Sequence, residues 1–101
     1  MELEIGMYVR TINGKIWVII SQRAISGHRK DIIKASYNII DLIEIGDYVN
    51  HHRVVDIESN NEDKTLYLYV DTLEYNEVVY QSDIKSILTK EQFESMEYKV
   101  C

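Results

Sequence analysis

The sequence predicts a small, mainly β domain closed by one short C-terminal α-helix. Three observations carry that prediction. Fifteen Ile and nine Val stand against two Ala among 101 residues, and branching at Cβ restricts χ1 in a helix while packing well on a pleated surface. The segment Glu4-Ile5-Gly6-Met7-Tyr8-Val9 recurs as Glu44-Ile45-Gly46-Asp47-Tyr48-Val49. Finally, Thr65 to Asp71 alternates, with Leu66, Leu68 and Val70 on one face and Thr65, Tyr67, Tyr69 and Asp71 on the other.

Each copy of the repeat reads as glycine, short strand, turn, second strand. After the first copy, Asn13-Gly14 predicts a type I′ hairpin turn between strands within 7–21. Residues 22–43 are less decided. Ser26-Gly27 is a turn signal, Ile32-Ile33 an edge strand or a contact, and Ser36 to Ile43 an extended linker or one helical turn capped by Ser36. The second copy opens a run of five short strands: the repeat strand, Arg53 to Ile57, Thr65 to Asp71, Asn76 to Gln81, and Ile84 to Leu88. Asn50 is the residue of the intervening turn expected at positive φ. A glycine entry followed by five strands in about 45 residues has the size and pattern of an SH3-like barrel. Thr89-Lys90-Glu91-Gln92 fits a capping box for a helix over 90–97, with Phe93 and Met96 facing the barrel. The expected organisation is therefore one domain over 1–101: an N-terminal hairpin unit over 1–35 that extends the sheet, an SH3-like barrel over 44–89, and the helix.

Composition narrows the chemistry. The longest apolar run, Ile16 to Ile20, is far short of a membrane span, and the acidic opening Met1-Glu2-Leu3-Glu4 lacks the character of a signal peptide. A cytoplasmic protein is expected. Cys101 is the one cysteine, so neither an internal disulfide nor a CxxC motif exists. Residues 1–53 carry seven Lys/Arg against six Asp/Glu, and residues 54–101 carry four against eleven. The acidic half disfavours nucleic-acid backbones, which need Lys and Arg to displace counterions, and suits docking on a basic surface.

No Walker loop, GxGxxG, GxSxG or HExxH occurs, and an enzyme is not expected. His51-His52 are adjacent and would point apart on a strand, so no metal site is assigned there. The acids Asp56, Glu58, Glu62 and Asp63 do not follow a calcium-loop spacing. A triad drawn from His28, Asp31 and one of seven serines is expected by chance. No cofactor is assigned.

What remains is surface. Tyr67 and Tyr69 share a strand face and, with Glu58, Glu62 and Asp63, form the expected partner-binding set, because tyrosines joined to acids suit a protein interface better than a phosphate chain. The alternative set is Arg23, His28, Arg29 and Lys30, which in a homo-oligomer would surround a phosphorylated nucleotide. Exposed strand edges make a homodimer an expectation.

Asn38 to Asn50, Ile84 to Val100 and the opening Ile5-Gly6-Met7-Tyr8-Val9-Arg10-Thr11-Ile12-Asn13-Gly14 together resemble small β-rich proteins of Gram-positive phages and prophages. The resemblance covers about half the chain and brings no catalytic residues. Such proteins usually show Asn-Gly in the second turn, where this chain has Asn50-His51. The resemblance implies a setting in the bacterial host cytoplasm. There, small acidic phage proteins often inhibit immunity, as anti-CRISPR proteins or as sponges for nucleotide signals. A host defence protein is thus the expected partner, and a phage adaptor or assembly module is the remaining reading.

Overall fold

The repeated segment folds the same way twice. In the computed structural model, which describes residues 2–96, the chain divides into two compact units, 1–42 and 43–101, with one copy in each. Gly6 and Gly46 sit at φ 98° and 100°, a left-handed conformation that a Cβ would strain. The next amide closes the turn, Met7 to the Glu4 carbonyl at 3.2 Å and Asp47 to that of Glu44 at 3.1 Å. Each glycine N–H then donates into the following chain, to Ile19 O at 2.8 Å or Val54 O at 2.9 Å. Those residues return their own N–H to Met7 O at 2.8 Å and Asp47 O at 2.7 Å. The strands that leave the turns carry Val9 and Val49, both fully buried.

In the first unit, β1 (Tyr8–Thr11) lies between β2 (Ile16–Val18) and β3 (Ile32–Ser36), antiparallel to both. The N-terminal hairpin therefore completes a three-stranded sheet with β3 and does not extend the sheet of the second unit, a correction to the expectation. Ile32-Ile33 does form an edge strand, because Ile32 joins Val9, Ile19 and Ile25 in the core while Ile33 stays outside. Only Gly14 of the Asn13-Gly14 pair has positive φ, 86°. Its N–H donates to Thr11 O and that of Thr11 to Lys15 O, so the loop has three residues and a glycine bulge, not a type I′ turn.

Between β2 and β3 runs α1 (Gln22–His28), where a turn at Ser26-Gly27 was expected. The Ser21 hydroxyl caps it by accepting from Ala24 N at 3.3 Å. One buried residue, Ile25, anchors it, so no apolar period marks the helix in the sequence. A 3₁₀ turn over Arg29–Asp31 follows. Ile39–Leu42 forms one further 3₁₀ turn, with the Ser36 hydroxyl accepting from Asn38 N and donating to the Asp41 carboxylate. Arg10 is fully buried, and its Nη1 donates to Leu42 O at 3.0 Å.

The second unit holds β4 (Tyr48–Val49), β5 (His52–Ser59), β6 (Leu66–Asp71), β7 (Asn76–Tyr80) and β8 (Ile87–Leu88). They form one antiparallel sheet in the order β7-β6-β5-β4-β8. The sheet is open, with β7 and β8 as edges. Val49, Val54, Leu68, Val70 and Val79 are buried on its inner face. Here the type I′ turn does occur, at Asn50 (φ 53°) and His51 (φ 73°). The Asn50 side chain ties the turn to 83–86, donating to Asp83 O at 2.8 Å and accepting from Lys85 N at 2.7 Å.

The C-terminal helix α2 (Lys90–Met96) has the expected capping box: Gln92 N donates to Thr89 Oγ1 at 3.3 Å, and Thr89 N to Gln92 Oε1 at 3.1 Å. Buried Asp47 adds to it by accepting from Lys90 N at 2.9 Å and Glu44 N at 2.7 Å, which sets a carboxylate at the helix start. Phe93 stacks on Tyr48 with centroids 4.7 Å apart. The Met96 side chain and residues 97–101, including Tyr98 and Cys101, lie outside the described residues. The described residues thus hold two short α-helices where one was expected.

Candidate functional site

Strand pairing in the second unit assembles a row of side chains that point away from its core. Glu58 lies opposite Tyr67, and Tyr67 opposite Tyr80; one step along, Asp56 faces Tyr69, and Tyr69 faces Val78. Alternation explains the separation, since Leu68 and Val79 between these positions are buried. On β5 the register slips between Val54 and Asp56. Val55 is thereby the extra residue of a bulge, and this shift sets Asp56 and Glu58 opposite the two tyrosines.

The rings touch. Tyr67 meets Tyr69 at 5.8 Å between centroids with planes 68° apart, and Tyr80 at 5.9 Å with planes 44° apart. The Tyr67 hydroxyl donates to Glu58 Oε2 at 3.2 Å. Desolvation among the neighbouring rings, and then this carboxylate, hold the Tyr67 phenol above its ordinary range.

Residues 60–64 form the loop between β5 and β6, and short bonds hold it. Asn60 N donates to Thr65 O at 2.8 Å, Lys64 N to Asn60 O at 2.9 Å, and Glu62 N to Asn60 Oδ1 at 2.9 Å. Asp63 Oδ1 accepts from Thr65 N at 3.0 Å, and that backbone amide holds its carboxyl below the usual carboxylate pKa range. A cavity of about 530 Å³ is lined by Tyr67, Tyr69, Val78 and Tyr80 together with Ser59 to Glu62.

Of the expected partner-binding set, Tyr67, Tyr69 and Glu62 line this cavity and Glu58 is bonded to one of its rings. Asp63 is in the same loop, with its carboxylate turned to the backbone. Sequence reasoning missed Tyr80 and Val78. Their signal was the length of the segment 72–75: a four-residue connection between Asp71 and Asn76 puts Tyr80 opposite Tyr67.

The alternative set lies in the first unit. Arg23 and His28 lie on α1 and Arg29 and Lys30 on the turn after it, all exposed. His28 lines a cavity of about 260 Å³ shared with Thr11, Asn13, Lys15, Trp17 and Asp31, where its ring meets Trp17 edge-on at 5.5 Å. A third cavity, of about 450 Å³ and mostly apolar, lies beside the Tyr48–Phe93 stack, with His51, Ile87 and Leu88 on its walls.

Among the described residues, no three His, Cys, Asp or Glu side chains gather in a way that could hold a metal ion. None of the described helices is long and apolar enough to cross a membrane. No family model, no curated protein and no solved structure matches the chain.

Proposed function

We propose that the protein is a non-enzymatic binding module whose outer β5–β7 face docks onto a basic surface of a protein partner. The observation that carries this reading is the contiguous group Tyr67, Tyr69, Val78 and Tyr80 on an open sheet, edged by Glu58, Glu62 and Asp56. Soluble domains ordinarily scatter exposed large side chains singly, and a contiguous aromatic patch with a charged edge is the composition of an interface. Tyr80 is 54% exposed and Val78 37%, so the face has area left for a partner to bury. Acidic residues around the rings would steer a basic partner in and make association sensitive to salt.

The resemblance to phage and prophage proteins supplies the setting. In it, the partner is a bacterial defence protein in the host cytoplasm, and the protein inhibits that partner by occupying a surface built for nucleic acid or for an effector. An SH3-like barrel is the fold this reading carries. Supporting it are the meander β4-β5-β6-β7, the return of β8 to pair with β4, and the 3₁₀ turn at Gln81–Asp83 before that last strand. Such small barrels act by contact at their loops and outer face, so the fold fits a binding role without implying a partner.

The test is an infection assay in a defence-bearing host that expresses the protein. Glu58→Lys with Glu62→Lys should abolish protection of the phage while circular dichroism stays unchanged. Full protection by this folded variant would remove the charge-based reading.

A further inference from the structure

We propose that the cavity lined by the tyrosine face and the 59–62 segment is a cage for one cationic side chain of the partner, arginine or lysine. The inference rests on the docking face proposed above and names the chemistry of its anchor.

Three features select a cation. First, the face of a tyrosine ring attracts positive charge within about 6 Å of its centroid. Tyr67 stands 5.8 Å from Tyr69 and 5.9 Å from Tyr80, its plane tilted against each of theirs. A group seated on the side of Tyr67 that it shares with Tyr69 or Tyr80 therefore lies near two rings. Second, the Tyr67 hydroxyl donates to Glu58. A phenol that gives its hydrogen to a carboxylate holds more electron density in its ring, and the carboxylate adds a formal charge at the rim. Third, Glu62 also lines the cavity, so a phosphate or carboxylate would meet like charge there. Occupants with an aromatic face but no positive charge, such as a nucleobase, would gain stacking and leave the acids unanswered.

The wall is also formed in advance. Backbone and side-chain bonds at Asn60, Asp63 and Lys64 fix the loop, so little ordering remains to oppose binding. About 530 Å³ is ample for a guanidinium and the methylenes behind it, and those methylenes would lie against Val78.

The experiment is an NMR titration of the whole chain with blocked peptides Gly-Gly-Xaa-Gly-Gly, in which Xaa is arginine, lysine or citrulline. Citrulline keeps the shape of arginine and lacks its charge. The arginine and lysine peptides should shift the amides of 59–62, 67, 69 and 80, and the citrulline peptide should bind roughly tenfold more weakly. Tyr80→Leu should lose affinity for the arginine peptide by a similar factor, while Tyr80→Phe, which keeps the ring, should stay within about twofold. Equal binding of arginine and citrulline peptides, an unaffected Tyr80→Leu variant, or no shift at these amides would overturn the cage. Equal binding still confined to this face removes the cage and leaves the docking face standing. Cage selectivity with a fully protective Glu58→Lys/Glu62→Lys variant in infection removes the docking face instead.

Discussion

Single residues hold unusual conformations here for identifiable reasons. His51 occupies a left-handed position, φ 73°, that costs a side-chain-bearing residue about 1–2 kcal/mol. It is held there because Asn50, also left-handed, is tied to Asp83 and Lys85. His51→Gly should therefore stabilise the protein by about 0.5–1 kcal/mol after the extra backbone entropy of glycine is subtracted. Chemical denaturation measures this, and a loss of stability would mean that the imidazole makes a compensating contact. Tyr67 yields a pH prediction. Its phenol is held above the ordinary tyrosine range, first by desolvation and then by Glu58, so it favours the folded state at neutral pH. That contribution fades only as pH rises through the raised value. In a ¹³C titration of the tyrosine rings, Glu58→Gln should bring the Tyr67 midpoint down without returning it fully to normal. An unmoved midpoint would show that the hydroxyl–carboxylate bond is absent in solution.

At the level of elements, the sequence was most informative where one residue type has one mechanical use. Gly6 and Gly46 marked two turns that proved to share their hydrogen bonding. Thr89 and Gln92 marked the start of α2, and their reciprocal bonds were legible from spacing alone. Thr89→Ala should accordingly cost about 1 kcal/mol, read from thermal unfolding; no loss would indicate that the amides accepted by Asp47 suffice to start the helix. The tyrosine row was half legible. Alternation gave Tyr67 and Tyr69, but Tyr80 needed the register of β6 with β7, which composition does not state. Least legible was α1. Gly27 within it signals a turn locally, and Ser21 capping with Ile25 burial overrides that signal. The same kind of competition displaced the type I′ turn. Asn13-Gly14 took a three-residue loop because the Thr11 hydroxyl accepts from Lys15 N at 3.1 Å, and the two-residue turn fell to Asn50-His51.

For the whole molecule, the duplicated glycine turn explains more than either copy alone. Each copy supplies the middle strand of a three-strand array, β2-β1-β3 in one unit and β5-β4-β8 in the other. The units differ in what lies between the flanking strands: α1 with its basic residues in the first, the β6–β7 hairpin with its tyrosines in the second. The division of charge in the sequence follows that difference, since the seven Lys/Arg of residues 1–53 and the eleven Asp/Glu of residues 54–101 largely fall on opposite sides of the boundary between units. The proposed docking face accordingly falls on this hairpin and the acids beside it. The most direct measurement is hydrogen exchange of the full chain, free and bound to a defence protein captured as the proposed partner. Slower exchange confined to 56–62, 66–71 and 76–80 is the predicted result. Protection over 22–36 with the β5–β7 face unchanged would contradict the account and move the binding surface to the basic unit.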